Sequence, residues 1–166
     1  MSRLLKPVSV VGTAAALCGL WGCPSAYQRT YDQKMQQLEA QQQAQNQQQA
    51  AMHAEAKRYA AVIYFAVGSP MIDDEGQREL RWFVQQMQPY PQANFNVQGF
   101  TDSTGTEANN QALAEQRANN VAAYLNSQGI DMARMAVTGF GAEYAAESNV
   151  TATGRRNNRR VEVTVR

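Results

Sequence analysis

The 166-residue chain is poor in cysteine: it has two, Cys18 and Cys23, and none later. Nothing downstream of Cys23 can form a disulfide or a thiolate metal site. The single histidine, His53, lies in a polar, helix-prone stretch. A zinc centre usually takes three or four Cys, His or carboxylate ligands, so the sequence predicts no metal site and no cofactor. Excess charge is also missing. Fifteen basic and 14 acidic side chains leave a formal net charge of +1, which gives no general attraction to nucleic acid. Long apolar runs are short as well. Val8 to Leu20 is uncharged but falls below the ~20 apolar residues of a transmembrane helix. What remains is a chain with 44% hydrophobic residues, enough for the packed core of one ordinary domain.

The first residues have the layout of an export signal, with Arg3 and Lys6 ahead of the Val8–Leu20 apolar stretch. Leu20-Trp21-Gly22-Cys23 then resembles the lipobox of bacterial lipoproteins, with the bulky Trp21 as a departure. The resemblance implies cleavage after residue 22 and lipidation of Cys23, hence a membrane partner held through a lipid anchor. Pro24, rather than aspartate, follows Cys23, which in enteric-type lipoproteins implies outer-membrane delivery facing the periplasm. Losing residues 1–22 removes two basic side chains and leaves 13 against 14 acidic ones, an almost neutral chain.

From Ser25 to Val67 there is neither glycine nor proline, and Gln and Ala dominate. Both are good helix formers, so residues 23–58 are expected to be a lipidated cysteine plus a helical stalk. A heptad seam can be drawn through Met35, Leu38, Gln42, Gln45, Gln49 and Met52, but its middle is polar. A lone helical spacer is the preferred reading. Residues 25–57 would reach about 50 Å at ~1.5 Å per residue.

Residues 59–166 read as the folded domain. Ala61-Val62-Ile63-Tyr64-Phe65 is consistent with a buried strand. Asp73 to Gln88 predicts a helix with Leu80, Phe83, Val84 and Met87 on one face, stopped by Pro89-Tyr90-Pro91. Phe95 and Val97 mark a second strand up to Gly99. Thr101 to Thr106 is a turn, and Glu107 to Gln128 a second helix ended by Gly129. Met135 and Val137 mark a third strand, and Phe140 to Asn157 a loop with one short helix. The alternation of Val161, Val163 and Val165 gives the last strand. The pattern predicts an α/β fold, a βαβαβ-type sandwich with helices packed on a small sheet and preceded by the helical stalk.

On the second helix Leu113, Arg117, Val121 and Leu125 form one i, i+4 row. Arg117 therefore points with three core candidates, and a buried arginine needs an anion and acceptors. Asp102 stands in the turn that feeds this helix, beyond the carboxyl end of the second strand, where open α/β sheets tend to bind ligands. The two side chains can face one pocket, or neutralise each other.

Gly99-Phe100-Thr101-Asp102-Ser103-Thr104-Gly105, then Asn110, Leu113, Arg117, Ala118, Val121 and Leu125, resembles the OmpA-like peptidoglycan-binding signature. The likeness continues through Gly139-Phe140-Gly141, Asn149, Gly154-Arg155 and Asn158-Arg159-Arg160-Val161-Glu162. It covers roughly residues 63 to 165 and extends to peptidoglycan-associated lipoproteins. Departures are Ala114, where the pattern has serine, and Ala66, where many relatives carry an acid. The resemblance implies an OmpA C-terminal-like fold and non-covalent binding of peptidoglycan through diaminopimelate. Asp102 would take its ammonium and Arg117 its carboxylate. Thr101, Asn110 and N–H groups of the 103–106 turn would complete the shell, with Asn149 and Arg159 nearby. On this reading alanine at Asp102 or Arg117 leaves the fold intact and abolishes binding.

The basic cluster Arg155, Arg156, Arg159 and Arg160 reads mainly as solvated surface with one structural arginine. An alternative function is that of a structural or assembly lipoprotein whose stalk oligomerises or meets other envelope proteins. A hydrolase is disfavoured, since residues 59–166 have no His, no Cys and no evident Ser-Lys arrangement. Asp73 and Asp74 read as a helix N-terminus rather than a catalytic pair.

Overall fold

The computed structural model describes residues 26–166. The expected leader and the Cys23 lipidation position lie outside the described residues. The chain divides into two units, Met1–Ala44 and Gln45–Arg166. Residues 26–44 of the first are all helical and all exposed, and belong to helix α1 (Ala26–Ala56). No helix among the described residues is long and apolar enough to cross a membrane.

The second unit carries strands β1 (Ala60–Tyr64), β2 (Phe95–Gly99), β3 (Met135–Gly139) and β4 (Arg160–Val165). Between them stand helices α2 (Asp74–Met87), α3 (Glu107–Ser127) and α4 (Ala152–Asn158). The strands form one sheet in the order β1-β4-β2-β3. β4 runs antiparallel to both neighbours, and β2 and β3 are parallel, joined through α3. This is the mixed α/β sandwich expected. The position of β4, inserted between β1 and β2, is a feature that local sequence patterns do not encode.

Helix ends follow their capping chemistry. Asp73 accepts from Gly76 N at 2.8 Å, with Asp74 and Glu75 in the first turn of α2, where the dipole favours acids. Thr106 caps α3 by accepting from Asn109 N, and Gly129, at φ +99°, ends it. The strands bury one face. Ala61 and Ile63 point inward while Val62 and Tyr64 are exposed, so the apolar run 61–65 is buried on one side only. Phe95, Val97, Val161 and Val163 line the inner face against Leu80 and Phe83 of α2 and Val121 and Leu125 of α3. Phe83 meets Phe95 edge-on at 5.6 Å.

One close approach positions the site. Gly99 and Gly139 are paired across β2 and β3, and α3 passes directly over both. A Cβ at Gly99 would overlap the Ala114 carbonyl, and one at Gly139 would lie 2.6 Å from Glu115 N. Ala114 is itself fully buried. The first half of α3 thus sits low on the sheet, at the end where the strands exit.

Candidate functional site

The register brings three carboxyl ends and one amino end together. Tyr64 pairs with Arg160, and Gly99 with both Val161 and Gly139. The segments leaving β1, β2 and β3 and the one entering β4 therefore share one end of the sheet. Backbone bonds tie them: Phe65 N to Arg159 O, Phe100 N to Arg160 O, and Thr101 N to Gly141 O at 2.7 Å.

Asp102 is buried here. One carboxylate oxygen accepts from Thr104 N at 3.0 Å, and the other from Arg159 Nη1 at 2.8 Å. Burial alone would raise its pKa, but the Arg159 and Thr104 hydrogen bonds outweigh that and hold the carboxyl below its ordinary range. Arg159 also donates from Nε to Phe65 O at 3.1 Å, which fixes its plane. Its Nη2 donates to no described residue.

Arg117 is 0% exposed and is not within ion-pair distance of Asp102. Its Nε donates to Ser69 O at 2.9 Å, Nη1 to Phe100 O at 3.1 Å and Nη2 to Ala66 O at 3.0 Å. Its Cζ lies 5.0 Å from the Phe65 ring centroid. The expectation of an open fork is corrected in this respect. The guanidinium is covered, and carbonyls from the β1 and β2 exits take three of its five N–H groups. Burial and the nearby Arg159 charge lower its pKa to about 10, against a smaller opposing pull from Asp102, so it stays cationic at neutral pH. The sequence placed Arg117 on the core-facing row correctly, but its immediate acceptors are carbonyls, not a carboxylate. Alanine there is consequently a structural lesion as well as a binding one.

Two cations and one carboxylate thus share a small volume. Among the described residues the ion pairs are Arg159–Asp102 and Arg160–Glu162, so no side-chain anion lies within pairing distance of Arg117. Thr101, adjoining Asp102, is buried, and its Oγ1 has no hydrogen-bond partner. A buried hydroxyl without a partner is uncommon in folded proteins, and a ligand or water there would satisfy it.

The remaining predicted residues are distributed around this core. Asn149 Oδ1 accepts from Ser103 N at 3.1 Å and from Asn158 Nδ2 at 2.9 Å, which joins the 149 loop to the 103–106 turn. The N–H groups of Ser103 and Thr104 are therefore already engaged, contrary to the expectation that they stay open. Asn110 is buried and lines a neighbouring cleft of about 350 Å³ with Ser103, Gly105, Gln111, Phe140 and Gly141. Asp102, Arg117 and Arg159 do not line that cleft.

The basic cluster is less solvated than expected. Arg155 donates to the Asn149 and Val150 carbonyls. Arg160 is buried, paired with Glu162, and stacked over Phe100 at 4.1 Å. Of the four, only Arg156 is exposed. Asn158 was not singled out from sequence as a site residue. It is completely buried, accepts from Glu147 N, and donates to Glu147 O at 2.8 Å as well as to Asn149. Its place beside Arg159 in the quoted signature was the available signal.

A profile of the OmpA family matches residues 64–159, more than half of the chain. The chain belongs to the OmpA family. This OmpA-family domain is 38% identical over 103 residues to the "probable lipoprotein YiaD" of Escherichia coli, covering 62% of this chain and 47% of that protein. It is 43% identical over 75 residues to the "peptidoglycan-binding protein ArfA" of Mycobacterium bovis, covering 45% of this chain and 23% of that one. The chain thus spans half or less of the length of these curated relatives. Among solved structures, the peptidoglycan-associated lipoprotein of Burkholderia pseudomallei aligns with a TM-score of 0.61 and 28% identity. That alignment covers 64% of this chain and 90% of the other. The OmpA-like fold is therefore established by both sequence and structure.

Proposed function

We propose that this chain binds peptidoglycan non-covalently, through the diaminopimelate of the stem peptide, and catalyses no reaction. The observation that carries the reading is the charge arrangement: buried Arg117 and half-buried Arg159 beside the single carboxylate of Asp102. The free end of diaminopimelate is a zwitterion. Its ammonium suits Asp102, and its carboxylate suits the Nη2 of Arg159 with the positive field of Arg117 behind it. Thr101, next to Asp102 in the chain, has a buried Oγ1 with no protein hydrogen-bond partner, which a ligand group would satisfy. Family membership, and the names of the relatives above, support cell-wall binding as the class of function.

The part played by Arg117 is twofold in this proposal. It clamps the Ala66–Ser69 loop to the β2 exit, and its covered charge adds a positive field for the ligand carboxylate. Asn149 and Asn158 hold the 103–106 turn in place, and Asn110 serves the adjacent cleft. Each charge-assisted bond contributes roughly 1.5–3 kcal/mol, while association costs at least ~4 kcal/mol, so one site binds weakly. With Cys23 lipidated, many copies would be confined near one polymer, and effective concentration would make the outer-membrane tether firm. Pull-down on purified peptidoglycan tests the proposal. Asp102→Ala and Arg159→Ala are expected to remain folded by circular dichroism and to leave the pellet, and full retention of both would refute it.

A further inference from the structure

α1 carries an exposed stripe with no partner among the described residues. Tyr31, Met35 and Leu38 are 53%, 39% and 46% exposed. Spacings of four and three continue through Gln42 and Gln45, which places all five at alternating d and a positions of one heptad frame. In that frame Lys34 is at g and Glu39 at e. They are five residues apart, the wrong spacing for a bond along one helix. Neither is in an ion pair among the described residues.

A second copy aligned in parallel solves both problems at once. The two stripes cover each other, and Lys34 of each helix lies opposite Glu39 of the other, twice per pair by symmetry. We propose that residues 31–45 of α1, in place of the lone spacer preferred from sequence, form a parallel, in-register two-stranded coiled coil with a second copy of this chain. Gln42 and Gln45 in the seam set the register at a cost in stability, so the association is weak and concentration-dependent. This inference is independent of the cell-wall reading, since it uses none of the same residues.

The test is sedimentation equilibrium of the full chain in density-matched detergent. Wild type is expected to dimerise. Lys34→Glu and Glu39→Lys, which each place like charges opposite one another in a homodimer, are expected to weaken dimerisation at least tenfold. An equimolar mixture of the two variants restores opposite charges across the seam and should recover it. Wild type that stays monomeric at every concentration overturns the proposal. So does Lys34→Glu that dimerises as tightly as wild type, or a mixture no tighter than its components. Peptidoglycan binding is expected to be unchanged in both variants when measured per chain at saturating load.

Discussion

Replacing Arg117 by methionine keeps the length and removes the fork. Three carbonyls lose their donor: Phe100 O, which is buried with the arginine, and Ala66 O and Ser69 O, which are partly buried. Hydrogen bonds to a charged group contribute roughly 1.5–3 kcal/mol each, which gives a gross loss above ~4.5 kcal/mol. Part of this is offset. Water can reach Ala66 O and Ser69 O once the loop loosens, and the variant no longer buries a cation, an effect worth several kcal/mol in the opposite direction. A net loss of about 2–4 kcal/mol follows, a large share of the ~5–15 kcal/mol typical of a domain. With a urea slope near ~1.5 kcal/mol per molar, the unfolding midpoint falls by roughly 1–3 M. Arg117→Lys is expected to lie between the two, because one ammonium cannot span three carbonyls. Equilibrium urea unfolding followed by circular dichroism measures all three proteins. A methionine variant within ~1 kcal/mol of wild type would show that the carbonyl clamp does not hold this end of the sheet together.

Other consequences follow from the same geometry. Gly99→Ala places a Cβ against the Ala114 carbonyl, and the thermal midpoint should fall by an amount matching ~3 kcal/mol or more; an unchanged midpoint would contradict the close approach of α3. Asn158→Ala strands partly buried groups of Glu147 and Asn149, with a cost of roughly 1–2 kcal/mol and faster amide exchange at Ser103. The folded-state pKa of Asp102 is depressed below the ordinary carboxylate value of about 4. Its ionised form therefore adds stability that is fully present above that value and is lost as pH falls through the folded pKa. The stability difference between wild type and Asp102→Asn should be flat from neutral pH to about 5 and shrink below about 4. A difference that grows on acidification would reverse the sign of the argument.

Local signals in the sequence located every strand and the long helices, because alternation, caps and Gly or Pro stops act over a few residues. Asp73 and Gly129 are examples, each doing at its helix end what its chemistry implies. The row Leu113, Arg117, Val121, Leu125 gave the direction of the arginine for the same reason. Its acceptors were not legible, since Ala66 and Ser69 lie 51 and 48 residues away and only the tertiary fold brings them close. The partner of Asp102 is similarly remote, at Arg159, 57 residues on. Strand order escaped for a related cause. β4 wedges between β1 and β2 through pairings such as Val62 with Glu162, which no neighbouring residue announces. The quoted family signature did reach Asp102, Arg117, Asn149 and Arg159 together, though not the division of labour among them.

The most direct test of the account is an NMR titration of the chain with meso-diaminopimelate. Binding at this site predicts amide shift changes concentrated at Thr101–Thr104, Asn149 and Arg159, saturating in roughly the millimolar range, and absent in Asp102→Ala. Changes confined to other elements, or an identical response in Asp102→Ala, would contradict it.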